Sequence, residues 1–325
     1  MADTAKSLLP SQREADLRKP RRRRSLGALI ASQHQLLIMS IPFVLIVILF
    51  SYVPLWGWIM AFQKYTLGKG IMHSPFVGLD NFKLLFKDQQ FYHVLRNTLV
   101  MGVLNLVVSF LGAIALALLL NEVRARFFKR TIQTITYIPH FVSWVVIANI
   151  VTQLLSPDGG TLNQILVQVG ILNDPYYFMS NPKLFWVIHT IANLWKEVGW
   201  NTIIYLAILG GLNPEHYEAA EVDGASRWAK MRYISIPGLM PTAILLLIIS
   251  VGWIIQSGYE SQFLLGNAMT IDYSEVLDLY ALRYSQQIGD YSYGVAISMF
   301  KSVVSVLMVL GVNYLARKTN QSRLF

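Results

Sequence analysis

The sequence predicts an all-α, polytopic membrane protein with six transmembrane helices and both termini cytoplasmic. Three observations carry this. The 325 residues are 54% hydrophobic and only 14% charged, with a mean hydropathy of +0.45, too apolar and charge-poor for an ordinary soluble domain. Six segments are long enough to cross a hydrocarbon core about 30 Å thick, which takes about 20 apolar residues. Lys and Arg collect in alternate connecting segments.

The predicted spans are Leu36 to Trp56, Thr98 to Leu120, Ile132 to Leu155, Leu184 to Gly210, Met240 to Leu264 and Val295 to Leu315. Each must be helical, because lipid offers no partner for free backbone N–H and C=O groups. The segments before the first span, between the second and third, between the fourth and fifth, and after the sixth hold 8, 4, 3 and 3 Lys and Arg; the alternate segments hold 5, 1 and 1. The positive-inside bias therefore sets both termini in the cytoplasm.

Residues 1–34 read as a basic, disordered cytoplasmic tail that includes Arg21, Arg22, Arg23 and Arg24, and residues 35–325 as the membrane domain. The apolar stretch after the tail is of full span length and lacks a small-residue cleavage pattern. It is a retained first helix, not a signal peptide. The basic run is a topogenic flank, with membrane lipid as its contact and no nucleic acid as partner. Between the first two spans, Asn81, Phe82, Leu84, Leu85 and Phe86 form an amphipathic stretch. Before the sixth span, Val276, Leu277, Leu279, Tyr280 and Leu282 form another, read either as a surface for a partner protein or as an interfacial helix.

The segment 211–239 between the fourth and fifth spans reads as two short helices. Asn213 caps the first, Pro214 takes its first position, and Gly224 ends it in the left-handed conformation. Ser226 caps the second, which runs through Trp228 until Pro237 interrupts it. Small Ala219 and Ala220 would let another backbone approach, with Trp228 as an apolar anchor. Standing alone, Glu218, Ala219 and Ala220 read more simply as part of a loop joining two spans.

The run Glu218-Ala219-Ala220, Asp223-Gly224-Ala225, Ile234, Pro237 and Pro241 closely resembles the cytoplasmic signature loop, the EAA motif, of ATP-binding-cassette (ABC) importer permeases. Val77 to Phe82, Asn97-Thr98-Leu99, Tyr137 to Phe141 and Gly199-Trp200-Asn201 agree with that family and look most like its carbohydrate-uptake branch, in particular the oligosaccharide permeases of Gram-positive bacteria. The resemblance covers the chain from about residue 35 onward. It implies the type I ABC importer permease fold in a bacterial cell membrane. It also implies that the loop docks on a cytoplasmic ABC ATPase dimer through Glu218, Ala219, Ala220, Asp223, Gly224 and Trp228. A second, non-identical permease subunit would complete the pore, and an extracytoplasmic solute-binding protein would deliver substrate. ATP and Mg would be bound by the ATPase partners, with no cofactor and no metal in this chain.

The residues add their own constraints. No G-x-x-x-x-G-K-[ST] loop is present, and Gly68-Lys69-Gly70 lacks its context, so energy comes from another chain or from an ion gradient. The six histidines show no H-E-x-x-H spacing, His140 and His189 read as satisfied polar groups, and no G-x-S-x-G occurs, which argues against an enzyme. Cysteine is absent.

Ionisable groups inside spans are functional hypotheses by default. Lys196 and Glu197 sit side by side near the middle of the fourth span, about 100° apart around the helix, and so are not expected to point at one another. Aromatic rings beside polar groups suit a sugar, whose apolar face stacks while its hydroxyls need hydrogen bonds. Glu197, Trp200, Asn201, Gln256 and Glu260 are therefore the candidates for a substrate path, against the plain reading that they join helices together. Lys301 is expected to pair within the bundle or to snorkel. Lys196 and Arg283 suggest a narrower substrate, an acidic, uronate-bearing oligosaccharide. An importer of a non-sugar solute and an ion-coupled secondary transporter remain the competing readings.

Overall fold

A computed structural model describes residues 33–256 and 258–318. Most of the predicted basic tail, residues 1–32, lies outside the described residues. The chain divides into two compact units that meet between Gly57 and Trp58. In the first, α1 (His34–Val47) continues through a π turn, Ile48–Tyr52, into a 3-10 helix, Val53–Phe62, that crosses the boundary.

The second unit contains α2 (Gly70–His73), α3 (Asp80–Lys87), α4 (Gln89–Glu122), α5 (Arg126–Phe141), α6 (Trp144–Leu154), α7 (Thr161–Gln168), α8 (Phe185–Gly210), α9 (Pro214–Val222), α10 (Arg227–Lys230), α11 (Ile236–Val251), α12 (Glu260–Leu265), α13 (Ile271–Ser274), α14 (Leu277–Leu282) and α15 (Tyr291–Lys318). Among the described residues extended pairing is limited to one isolated bridge, Gln63 with Phe76. Among the described residues four helices are long and apolar enough to cross a membrane: His34–Phe62, Gln89–Glu122, Arg227–Val251 and Tyr291–Tyr314. The bent pair α5–α6 makes a fifth if counted as one span. At 26 residues α8 is about 39 Å long, also sufficient in length.

Helix α8 packs along α4, where buried Ala113 and Ala117 let Tyr205 and Leu209 approach. Small residues serve this purpose in apolar surroundings, where contact between backbones and side chains replaces the hydrophobic drive. At the end of the bundle formed by the N-termini of α4 and α8, side chains pin the connecting segments. Asp88 caps α4 through Gln90 N at 2.9 Å and accepts hydrogen bonds from the Tyr280 and Tyr293 hydroxyls. Asn97 donates to the carbonyls of Asp272 and Glu275, and the Thr98 hydroxyl accepts from Leu277 N. Asn81 donates to the carbonyls of Ala61 and Gln63. Two of the stretches that resemble the family are thus loop anchors. Burial pushes the Glu275 carboxyl above its ordinary pKa, against the opposing hydrogen bond from Gln90 and the charge of Arg283.

Three sequence expectations need correction. The third predicted span is not one rod, since α5 and α6 meet at a bend of 106°. The fifth loses its helix at Val251, turns through Gly252–Gln256 and resumes helical form at Glu260. Pro237 does not interrupt the helix after the loop, which continues from Arg227 to Val251. A π turn over Met231–Ser235 widens the coil and absorbs the clash that a proline ring makes with the carbonyl four residues earlier.

Candidate translocation path and coupling surface

Two of the path candidates, Glu197 and Trp200, lie at the break between α5 and α6. Pro139 sits in the last turn of α5, and Ser143, extended at φ −65° and ψ 153°, starts α6 in a new direction. The terminal carbonyls of α5 lose their intrahelical partners and would be costly to leave bare in an apolar setting. Lys196 answers this from α8. Its ammonium donates to the carbonyls of His140 at 2.6 Å and Val142 at 2.9 Å and lies 3.5 Å from that of Pro139. Lys196 is only 7% exposed, and the Trp144 ring centroid lies 6.0 Å from its Nζ.

Glu197 completes the network, with Oε2 2.7 Å from His140 Nδ1 and Oε1 3.7 Å from Lys196 Nζ. Contrary to the expectation from helical geometry, the adjacent Lys196 and Glu197 do meet, because both reach toward the same bent helix end. The His140 ring stacks on Trp200 at 4.4 Å with planes 4° apart. A Cβ on Gly199 would lie 2.0 Å from the Thr136 carbonyl oxygen, so only glycine lets α8 come this close to α5.

The other path candidates lie elsewhere. Asn201 lines a cavity of about 230 Å³ between α4, α8 and α11, with Ser109, Phe110, Tyr205 and Ser250. Gln256 donates to the Ser305 hydroxyl at 3.2 Å, and Ser305 in turn donates to the Gly252 carbonyl at 2.7 Å, tying the second break to α15. Glu260 is exposed in the first turn of α12. Behind this second break a Cβ on Gly102 would lie 2.2 Å from the Ile254 carbonyl oxygen. The structure thus brings Glu197 and Trp200 together and adds His140, which the sequence reading had set aside. The signal for it was Pro139, a helix-end mark just before a polar residue inside an apolar stretch.

Lys301 pairs with Asp278. Arg283 lies 3.2 Å from Glu275 and over the Tyr280 ring. Both cations that suggested an acidic substrate, Lys196 and Arg283, are therefore engaged by the protein itself.

At the far end of α8 the connecting loop has the capping the sequence implies. Asn213 Oδ1 accepts from Glu215 N at 3.0 Å, Pro214 opens α9, Gly224 has φ +74°, and Ser226 Oγ accepts from Ala229 N at 3.2 Å. Tyr217 bonds Ser235, and Glu221 pairs with Lys230 across the turn. Glu218, Ala219, Asp223 and Gly224 are exposed and Ala220 is half-buried. Val222 is 88% exposed, Tyr233 73% and Trp228 67%, a concentration of large apolar groups on a loop. Among the described residues no cluster of His, Asp or Glu could hold a metal ion.

Broken apolar helices around an ion network centred on buried Lys196, with a capped and exposed apolar loop at one end, fit a membrane transport component. Residues 108–321 match the family described as "binding-protein-dependent transport system inner membrane component", and the chain belongs to that family. It is a transport subunit and not an enzyme. The chain is 38% identical over 322 residues to the polygalacturonan/rhamnogalacturonan transport system permease protein YteP of Bacillus subtilis (strain 168), covering 99% of both chains. It is 36% identical to protein LplB of the same organism, over 98% of this chain and 99% of that one. It also resembles a chain of a bacterial ABC transporter involved in the import of the acidic polysaccharide alginate. That crystal structure matches at a TM-score of 0.83 and 35% identity, over 90% of this chain and 98% of that one.

Proposed function

We propose that this chain is one of two permease subunits of an ATP-driven importer that takes up an oligosaccharide bearing uronic acids. The observation that carries the reading is the close relation, over nearly the whole chain, to a pectic-polysaccharide permease and to an alginate importer. The alginate importer also has a crystal structure in complex with an alginate pentasaccharide-bound periplasmic protein, which supports an extracytoplasmic binding protein as a partner here. Six spans with cytoplasmic termini fit the charge distribution, with α5–α6 as the third, α8 as the fourth and α11–α12 as the fifth.

In this reading Glu218, Ala219, Ala220, Asp223, Gly224 and Trp228 dock in a cleft of a cytoplasmic ATPase dimer, which holds ATP and Mg. Closure of that dimer rocks the spans between inward- and outward-facing states. Irregular backbone at membrane depth is tolerated where it is buried in protein or lines a cavity. The path therefore runs past the two breaks, with Glu197, Trp200 and His140 at the first and Gln256 and Glu260 near the second, and Asn201 in the adjoining cavity. An aromatic face beside carboxylate and imidazole suits a sugar ring and its hydroxyls.

The test is co-reconstitution of this chain with its partner permease, ATPase and binding protein in liposomes. Uptake of an oligogalacturonide that requires ATP and the binding protein is expected. Transport by this chain alone in a proton or sodium gradient would replace the importer with a secondary transporter.

A further inference from the structure

We propose that Lys196 is a positioning residue: its ammonium caps the severed end of α5, holding the α5–α6 break and the path surface on it, and it does not serve as a counter-charge for substrate. The inference rests on the path reading above for its transport arm alone. A helix C-terminus carries unsatisfied carbonyls and a partial negative charge, so a cation there is favourable and gains strength away from water. Lys196 meets this demand with bonds to the carbonyls of His140, in the last turn of α5, and of Val142, the residue that follows its end. One ammonium therefore holds the last turn of α5 and the first residue of the break, with the Trp144 ring of α6 beside it. At 7% exposure and with those acceptors, Glu197 and the Trp144 ring around it, it has little donor capacity left for a sugar carboxylate.

The consequence reaches the path. His140 is one of the residues whose carbonyl Lys196 holds, and its ring is fixed by Glu197 and Trp200. If the cap is lost, the two carbonyls are left bare and the chain lowers that cost by straightening toward a continuous helix. That response moves His140 off Trp200.

The experiment compares K196M, K196Q and K196R in the reconstituted complex, using an oligogalacturonide and its fully methyl-esterified, uncharged counterpart as probes. Uptake is read per ATP hydrolysed, which loss of assembled complex does not change. The expected result is a fall of about tenfold or more for K196M with both probes alike, an intermediate fall for K196Q, and recovery to within about threefold of wild type for K196R.

A second readout needs no substrate. The chain has no cysteine, so spin labels at F127C on α5 and I150C on α6, both exposed positions, report the bend directly. Straightening would carry that pair toward roughly 35 Å at 1.5 Å per residue. K196M is expected to lengthen or broaden the distance distribution and K196R to keep it; if K196M does not assemble, K196Q supplies the measurement.

Loss of uptake confined to the charged probe would make Lys196 a substrate counter-charge and overturn the proposal. So would a K196M or K196Q distance distribution that matches wild type. If the wild-type complex moves neither probe, the carbohydrate reading fails, while the distance measurement still decides the role of Lys196.

Discussion

The two candidate functional regions of this subunit are built in opposite ways. The loop of α9 and α10 is made from its own sequence: Asn213 caps α9 two residues on, Ser226 caps α10 three residues on, and Gly224 turns the chain between them. The α5–α6 break is made by a different helix. Lys196, Glu197, Gly199 and Trp200 all come from α8, more than fifty residues along the chain from the carbonyls and ring they hold. A locally built element keeps its shape while it moves with or docks on a partner. An element held from elsewhere in the fold changes shape whenever the two helices shift relative to one another. That difference fits a docking loop, which must stay rigid, and a path surface, which must change during the cycle.

Four substitutions sharpen or break this contrast, in falling order of expected effect on thermal unfolding of the detergent-solubilised protein. Lys196→Met leaves buried carbonyls and Glu197 without their cation and is expected to cost about 3–5 kcal/mol. Gly199→Ala puts a methyl group against the Thr136 carbonyl and separates α8 from α5, at about 3 kcal/mol, the upper end for overpacking. Gly224→Val has open space around it but a left-handed backbone, with a strain of about 2 kcal/mol confined to the loop. Its main effect is on function: uptake should fall at least tenfold and ATPase co-purification should weaken, while membrane insertion stays normal. Asn213→Ala removes one cap at about 1 kcal/mol and should reduce uptake only slightly.

The contrast predicts two groups, with the α8 variants lowering the unfolding temperature of the isolated subunit more than the loop variants do. If Gly224→Val destabilised the subunit as much as Lys196→Met, the loop would not be an independent unit. Normal uptake with normal ATPase association in Gly224→Val would remove its docking role.

The same division decides what could be read in advance. Caps, the left-handed glycine and the apolar periodicity are short-range signals, and α9, α10, α3 and α14 are found where those signals lie. The stretch from Tyr137 to Phe141 was marked only by family resemblance, because a proline in an apolar run is compatible with either a kink or a break. His140 was undervalued because its partners, Glu197 and Trp200, lie on another helix. The facing of Asn201 toward α4 and the bond from Gln256 to Ser305 had no local signature either.

Taken alone, the sequence determined that this chain is helical and apolar, that its basic residues alternate between loops, and that one loop carries its own caps and turn. Those properties follow from hydropathy, charge and backbone preference over a few residues. Tertiary structure alone decided which helices are broken and where the charges inside them point. A severed helix end, or a buried ammonium, is tolerable only when another segment supplies its partner, and at the α5–α6 break the end of α5 and Lys196 of α8 partner each other.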